Sequence, residues 1–207
     1  MRVKQHIDRF RALLKPYREI LRFMLIVILV HIIWKVSFFA SDDDSFITFL
    51  TLNVSKPFIY ISNHFTSVTQ YIINNILGIE TFRYNQQLYF DNSPGISIVW
   101  ACSGVKQYLM MFFVILFASG SWLKKLWYIP LSILGMYVLN VFRLVILTLV
   151  TRFHIEWFDF THKVIFRVII YGGLFLFWWL WVERITKNPP SRLKVTPPLR
   201  KEDNPAS

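Results

Sequence analysis

What this chain has little of narrows it first. It holds one cysteine, Cys102, in 207 residues, so no disulfide framework can stabilise it. Only 17% of its residues are charged, too few to cover a soluble domain of this length. Its seven glycines form no phosphate-cradling loop, and no His-Glu-x-x-His or comparable ligand cluster occurs. Nucleotide-dependent and zinc-peptidase chemistry therefore lose their support, and no cofactor or metal is expected. The 55% hydrophobic and 18% aromatic content excludes disorder. A net charge of +11 often marks a nucleic-acid binder. In a chain this apolar it marks the cytosolic ends of membrane segments, so membrane lipids are the expected partners and nucleic acid is not.

Four long apolar runs are present, at about 23–40, 105–123, 126–150 and 164–182. They predict an all-α integral membrane protein with about four transmembrane helices. Before the first run lie Arg2, Lys4, Arg9, Arg11, Lys15, Arg18 and Arg22; Lys124 and Lys125 join the second and third; Arg184, Lys187, Arg192, Lys194, Arg200 and Lys201 follow the fourth. Asp42-Asp43-Asp44 instead follows the first run. The positive-inside rule places both termini and the Lys124 link in the cytosol, and residues 41–102 and 151–163 outside. The first run is spanning length and lacks a small-x-small cleavage site before Asp42, so it is expected to remain as an anchor. The domain expectation is a basic cytosolic N-terminus (1–22), a membrane-embedded domain (23–187) that includes the outer region 41–101, and a basic, Pro-rich, disordered cytosolic tail (188–207).

Between Phe46 and Leu77, apolar residues recur every three or four positions, with Thr48, Ser55, Ser62, Thr66 and Thr69 on the opposite face. This predicts an amphipathic outer helix, kinked or split at Pro57. Two short spans here would preserve the same orientation, so up to six spans are compatible with the sequence. Residues 82–90 and 96–100 read as strands around Asp91-Asn92-Ser93-Pro94-Gly95, predicting a short β-hairpin that leads directly to Cys102.

Three polar positions stand out. Cys102, in Ala101-Cys102-Ser103-Gly104, precedes the second span, where a helix N-terminus favours thiolate; an inert, packed thiol is the alternative. Arg143 lies inside the third span, where a charge costs about 3 kcal/mol, and Asn140 shares its face. Pairing with an acid is the structural alternative. His162 precedes the fourth span, and His154 in the same outer loop competes with it. The topology brings Cys102, Arg143 and His162 to one side of the membrane at similar depth.

On Ala101-Cys102-Ser103-Gly104, Asn140-Val141-Phe142-Arg143 and His162, the chain resembles the exosortase/archaeosortase family of membrane-embedded sorting transpeptidases, over roughly residues 95–182. With few N-terminal spans it looks like a compact bacterial form of the inner membrane. The resemblance implies Cys102, Arg143 and His162 as the catalytic residues. It also implies exported protein substrates with a C-terminal motif, a transmembrane helix and a basic end. The expected chemistry is a Cys102 thioester formed with His162 as base or ion-pair partner, then acid, and Arg143 at the oxyanion. Asn140 would hold the guanidinium or bind substrate backbone. An amine or lipid head group would accept the new C-terminus. A membrane cysteine protease that only hydrolyses, and a non-catalytic assembly or transport subunit, are the alternatives.

Overall fold

The computed structural model describes residues 17–40, 46–91 and 93–186. The tail from Asn188, most of the basic N-terminus, the acidic triplet and Asn92 lie outside the described residues. In chain order the elements are α1 (Arg18–Ser37), β1 (Phe38–Ala40), β2 (Ile47–Phe49), β3 (Leu52–Asn53) and α2 (Ser55–Tyr71). Then come β4 (Phe82–Tyr84), β5 (Gln87–Phe90), β6 (Ser93–Ser97), α3 (Val105–Phe117), α4 (Trp122–Phe153) and α5 (Phe166–Leu180). Among the described residues, four helical stretches are long and apolar enough to cross a membrane: Arg18–Ser37, Trp100–Phe117, Trp122–Phe153 and Ile155–Ile185. The four-span, predominantly helical architecture is thus the one the apolar runs predict.

Alternate helix ends meet. At one end Arg22 Nη1 donates to Ser119 Oγ at 2.9 Å, and that hydroxyl donates to Glu19 at 2.9 Å. Trp181 Nε1 donates to the Ser119 carbonyl at 2.8 Å and Lys124 Nζ to the Ile185 carbonyl at 2.8 Å. The start of α1, the α3–α4 link and the end of the last span therefore share that end. At the other, Trp34 stacks on Trp100 at 6.1 Å, and Phe58 meets both edge-on. The four spans alternate in direction as an up-down bundle, with short links after the second and third spans and the sheets and α2 between the first and second. Its core gathers Phe23, Met110, Val114, Met136, Leu174 and Trp178.

A second core lies at the Trp34 end, where Phe65, Ile73, Leu88, Ile96 and Ile98 pack against Val141, Leu144 and Leu147 of α4. α4 has 32 residues, about 48 Å at 1.5 Å each, against a hydrocarbon thickness of about 30 Å. Its extra turns reach the sheet-bearing layer at the Trp34 end, where Arg152 lies 5.1 Å from the Phe90 ring.

That layer departs from expectation in three ways. The hairpin is a three-stranded antiparallel meander, β4–β5–β6, because the 82–90 run turns at Asn85-Gln86, where Asn85 has φ 52°. A second sheet, β1–β2–β3, takes residues assigned to the end of the first span and the start of the amphipathic helix. Short apolar runs such as Phe38-Phe39-Ala40 do not distinguish strand from helix by periodicity. Finally, Pro57 neither kinks nor splits α2. It lies in the first turn, where its missing N–H has no helical partner to lose.

Candidate active site

Cys102 closes a 3-10 turn, Trp100–Cys102, with its N–H donating to the Val99 carbonyl at 2.9 Å. Ser103 continues the wrap, its hydroxyl donating to the Trp100 carbonyl at 2.6 Å. Gly104 then takes a left-handed conformation, φ 74°, and α3 begins at Val105. The thiol-bearing residue therefore sits three positions before the helix, partly exposed, while Ser103 is buried.

α4 supplies the opposing wall. Asn140 is buried, and its Nδ2 donates to the Cys102 carbonyl at 3.1 Å. Its contact is thus with the backbone of Cys102 rather than with the guanidinium. One turn on, Arg143 is 8% exposed and its Nη2 lies 3.1 Å from His162 Nε2. A guanidinium can only donate, so His162 Nε2 accepts and the ring proton is assigned to Nδ1. His162 stands in a π-helical turn, Thr161–Ile165, its ring parallel to that of Phe158 at 5.7 Å. Such wide turns recur where a helix must re-aim side chains at a functional site. No acid pairs with Arg143 among the described residues.

The structure therefore brings Asn140 to the Cys102 backbone and Arg143 to His162 at the end of the bundle opposite Lys124. His154 goes elsewhere: its Nδ1 lies 3.4 Å from Glu156, both side chains exposed. The Tyr108 hydroxyl meets the Asn140 side chain, while Arg143 Nε has no hydrogen-bond partner among the described residues.

A cavity of about 430 Å³ opens beside this cluster, with His31, Lys106, Arg143, His162 and Arg167 in its wall. Sequence reasoning missed His31, Lys106 and Arg167 as a group. Each is a polar interruption of an apolar run, explicable singly by snorkelling; only the packing of three spans shows that they converge. Tyr108 was missed for a similar reason, as an aromatic within an apolar helix. Among the described residues, no three His, Cys, Asp or Glu side chains gather as metal ligands.

A family model for transmembrane exosortases matches residues 12–180, most of the chain. No curated protein and no solved structure matches it.

Proposed function

The chain belongs to the transmembrane exosortase family, and from that membership and the geometry around Cys102 we propose that it is a cysteine-dependent peptidase and transpeptidase. Its substrates are exported proteins, cut at C-terminal sorting signals on the outer face of the inner membrane. The observation that carries the reading is the Arg143–His162 contact, one helical turn from the Asn140 amide that holds the Cys102 carbonyl. A buried guanidinium aimed at imidazole rather than at carboxylate is poor helix glue. It suits a site where negative charge appears only during reaction.

The steps follow from those groups. A substrate carbonyl draws Arg143 toward its oxygen and frees His162 Nε2. That nitrogen takes the Cys102 thiol proton, and the sulfur attacks the carbonyl carbon. Arg143 stabilises the tetrahedral oxyanion, an effect of about 3 kcal/mol for one well-placed donor in a water-poor site. Collapse breaks the C–N bond; His162 returns the proton to the departing amine and leaves a Cys102 thioester. An amine acceptor then attacks the thioester carbon, His162 takes its proton, and the thiol is regenerated. Water in place of the amine gives hydrolysis. Asn140 Nδ2 holds the nucleophile's loop.

The test is in-cell processing of a tripartite-tail substrate at matched membrane levels. Wild type shortens it; Cys102→Ala and Arg143→Ala do not, although both insert. His162→Ala is severely impaired and His154→Ala is nearly normal. Equal processing by wild type and Cys102→Ala would sink the mechanism. Mass spectrometry of the new C-terminus separates transfer, which adds the acceptor's mass, from hydrolysis.

A further inference from the structure

We propose that the cavity beside Arg143 and His162 binds the phosphodiester headgroup of a membrane phospholipid. Its wall takes His31 from α1, Lys106 from α3, Arg143 from α4, and His162 and Arg167 from the last span, with no carboxylate among the described lining residues. Lys106, Arg143 and Arg167 bring three cations from three spans to one wall, where they repel one another and call for an anion, and the imidazoles of His31 and His162 add hydrogen-bonding groups. The nearby acid, Asp159, is already engaged with Lys163 at 2.9 Å. Lys106 and Arg167 make no hydrogen bond or ion pair among the described residues. Arg143, more than nine-tenths buried, keeps its Nε–H without an acceptor.

Size and place favour a lipid over an acidic peptide. About 430 Å³ lies within the range of ligand pockets, about 300–1,000 Å³, and far exceeds the roughly 30 Å³ of a water molecule. His31 stands six residues before the end of α1, about 9 Å along the axis, so that wall lies within the spanning part of the bundle. Phe166 and Ile170 supply apolar wall beneath the charges. Two guanidinium forks and an ammonium match the non-bridging oxygens of a phosphodiester. Binding precedes any bond breaking, so the inference does not rest on the cleavage chemistry.

The test is native mass spectrometry of the full chain released from detergent. It is titrated with dihexanoyl phosphatidylglycerol, with dihexanoylglycerol as the phosphate-free control, and with inorganic phosphate and a short acidic peptide as competing anions. Phosphatidylglycerol should bind about tenfold or more tightly than dihexanoylglycerol, and the Lys106→Gln/Arg167→Gln variant should lose about tenfold or more of that affinity. Lys163→Gln, whose ammonium faces Asp159, should bind as wild type does. The double variant should melt no lower than wild type, since it removes two mutually repelling charges. If it melts lower, Arg167→Gln alone, at an exposed position, carries the comparison. Unchanged phosphatidylglycerol binding in the variants overturns the proposal, as does equal binding of dihexanoylglycerol. Preference for inorganic phosphate would make the source a free anion rather than a lipid, and preference for the acidic peptide would assign the cavity to the protein substrate.

Discussion

A Cβ added at Gly104 would stand 3.0 Å from the ring tip of Tyr108 and 3.1 Å from Cγ of Asn140, on a backbone with φ of 74°. Both features matter to the nucleophile, because Asn140 holds the Cys102 carbonyl and Gly104 joins that loop to α3. Gly104→Ala should lose about 1–2 kcal/mol of stability from the left-handed backbone alone. It should also lose processing out of proportion to that, because the added methyl displaces Asn140. Thermal melting in detergent and the tripartite-tail assay, run on the same variant, check both; wild-type processing by a destabilised Gly104→Ala would remove Asn140 as a positioning residue. Much of this site was legible as chemistry in the wrong medium: Arg143 and Cys102 drew attention because an apolar span keeps such groups only for a reason. The contact that matters for Asn140 was not legible. Sequence spacing put it on the Arg143 face, whereas its amide reaches a backbone carbonyl 38 residues away.

α2 carries the clearest difference between pattern and packing. Its buried stripe is Ser55, Phe58, Ser62, Phe65, Thr66 and Thr69, continuing to Ile73, so the hydroxyl face expected to point away is packed inside with the large apolar residues. Small side chains allow close approach between elements, and near a membrane that packing replaces part of the hydrophobic driving force. Periodicity located the helix but could not choose its inner face, because the apolar side chains opposite face lipid or solvent without penalty at an interface. The Ser62 hydroxyl is fully buried without a hydrogen-bond partner among the described residues. Ser62→Ala should therefore be neutral or stabilising, since it removes a desolvated group that gains nothing in return. Ser62→Leu should cost about 1–3 kcal/mol by overpacking. Melting midpoints of the two variants in one detergent test the packing directly; a large loss in Ser62→Ala would mean that the hydroxyl has a partner.

At the scale of the molecule, the two ends of the bundle are chemically unlike, and that difference leads to an orientation. Glu19, Arg22, Lys124 and the Ile185 carbonyl meet at one end, while Cys102, the aromatic cluster of Trp34, Phe58 and Trp100, and both small sheets gather toward the other. The basic residues of the sequence lie before the first span, in the link between the second and third and after the fourth, so the positive-inside rule predicts that end in the cytosol and Cys102 outside. The single cysteine makes this testable without engineering the site. A membrane-impermeant maleimide applied to intact spheroplasts should label Cys102 in the wild-type chain, which leaves that residue partly exposed. In a Cys102→Ala background, a cysteine placed at Lys124 should label only after permeabilisation. The opposite pattern would invert the protein and put the candidate thiol in the cytosol, where an exported substrate's outer segment cannot reach it. Labelling of both positions in intact cells would mean leaky membranes, which a cytosolic marker protein in the same sample reports. Labelling of neither before permeabilisation, with Lys124→Cys labelled afterward, would place the thiol out of aqueous reach. That result fits a site shielded from water, the condition under which a thioester passes its acyl group to an amine before water intercepts it.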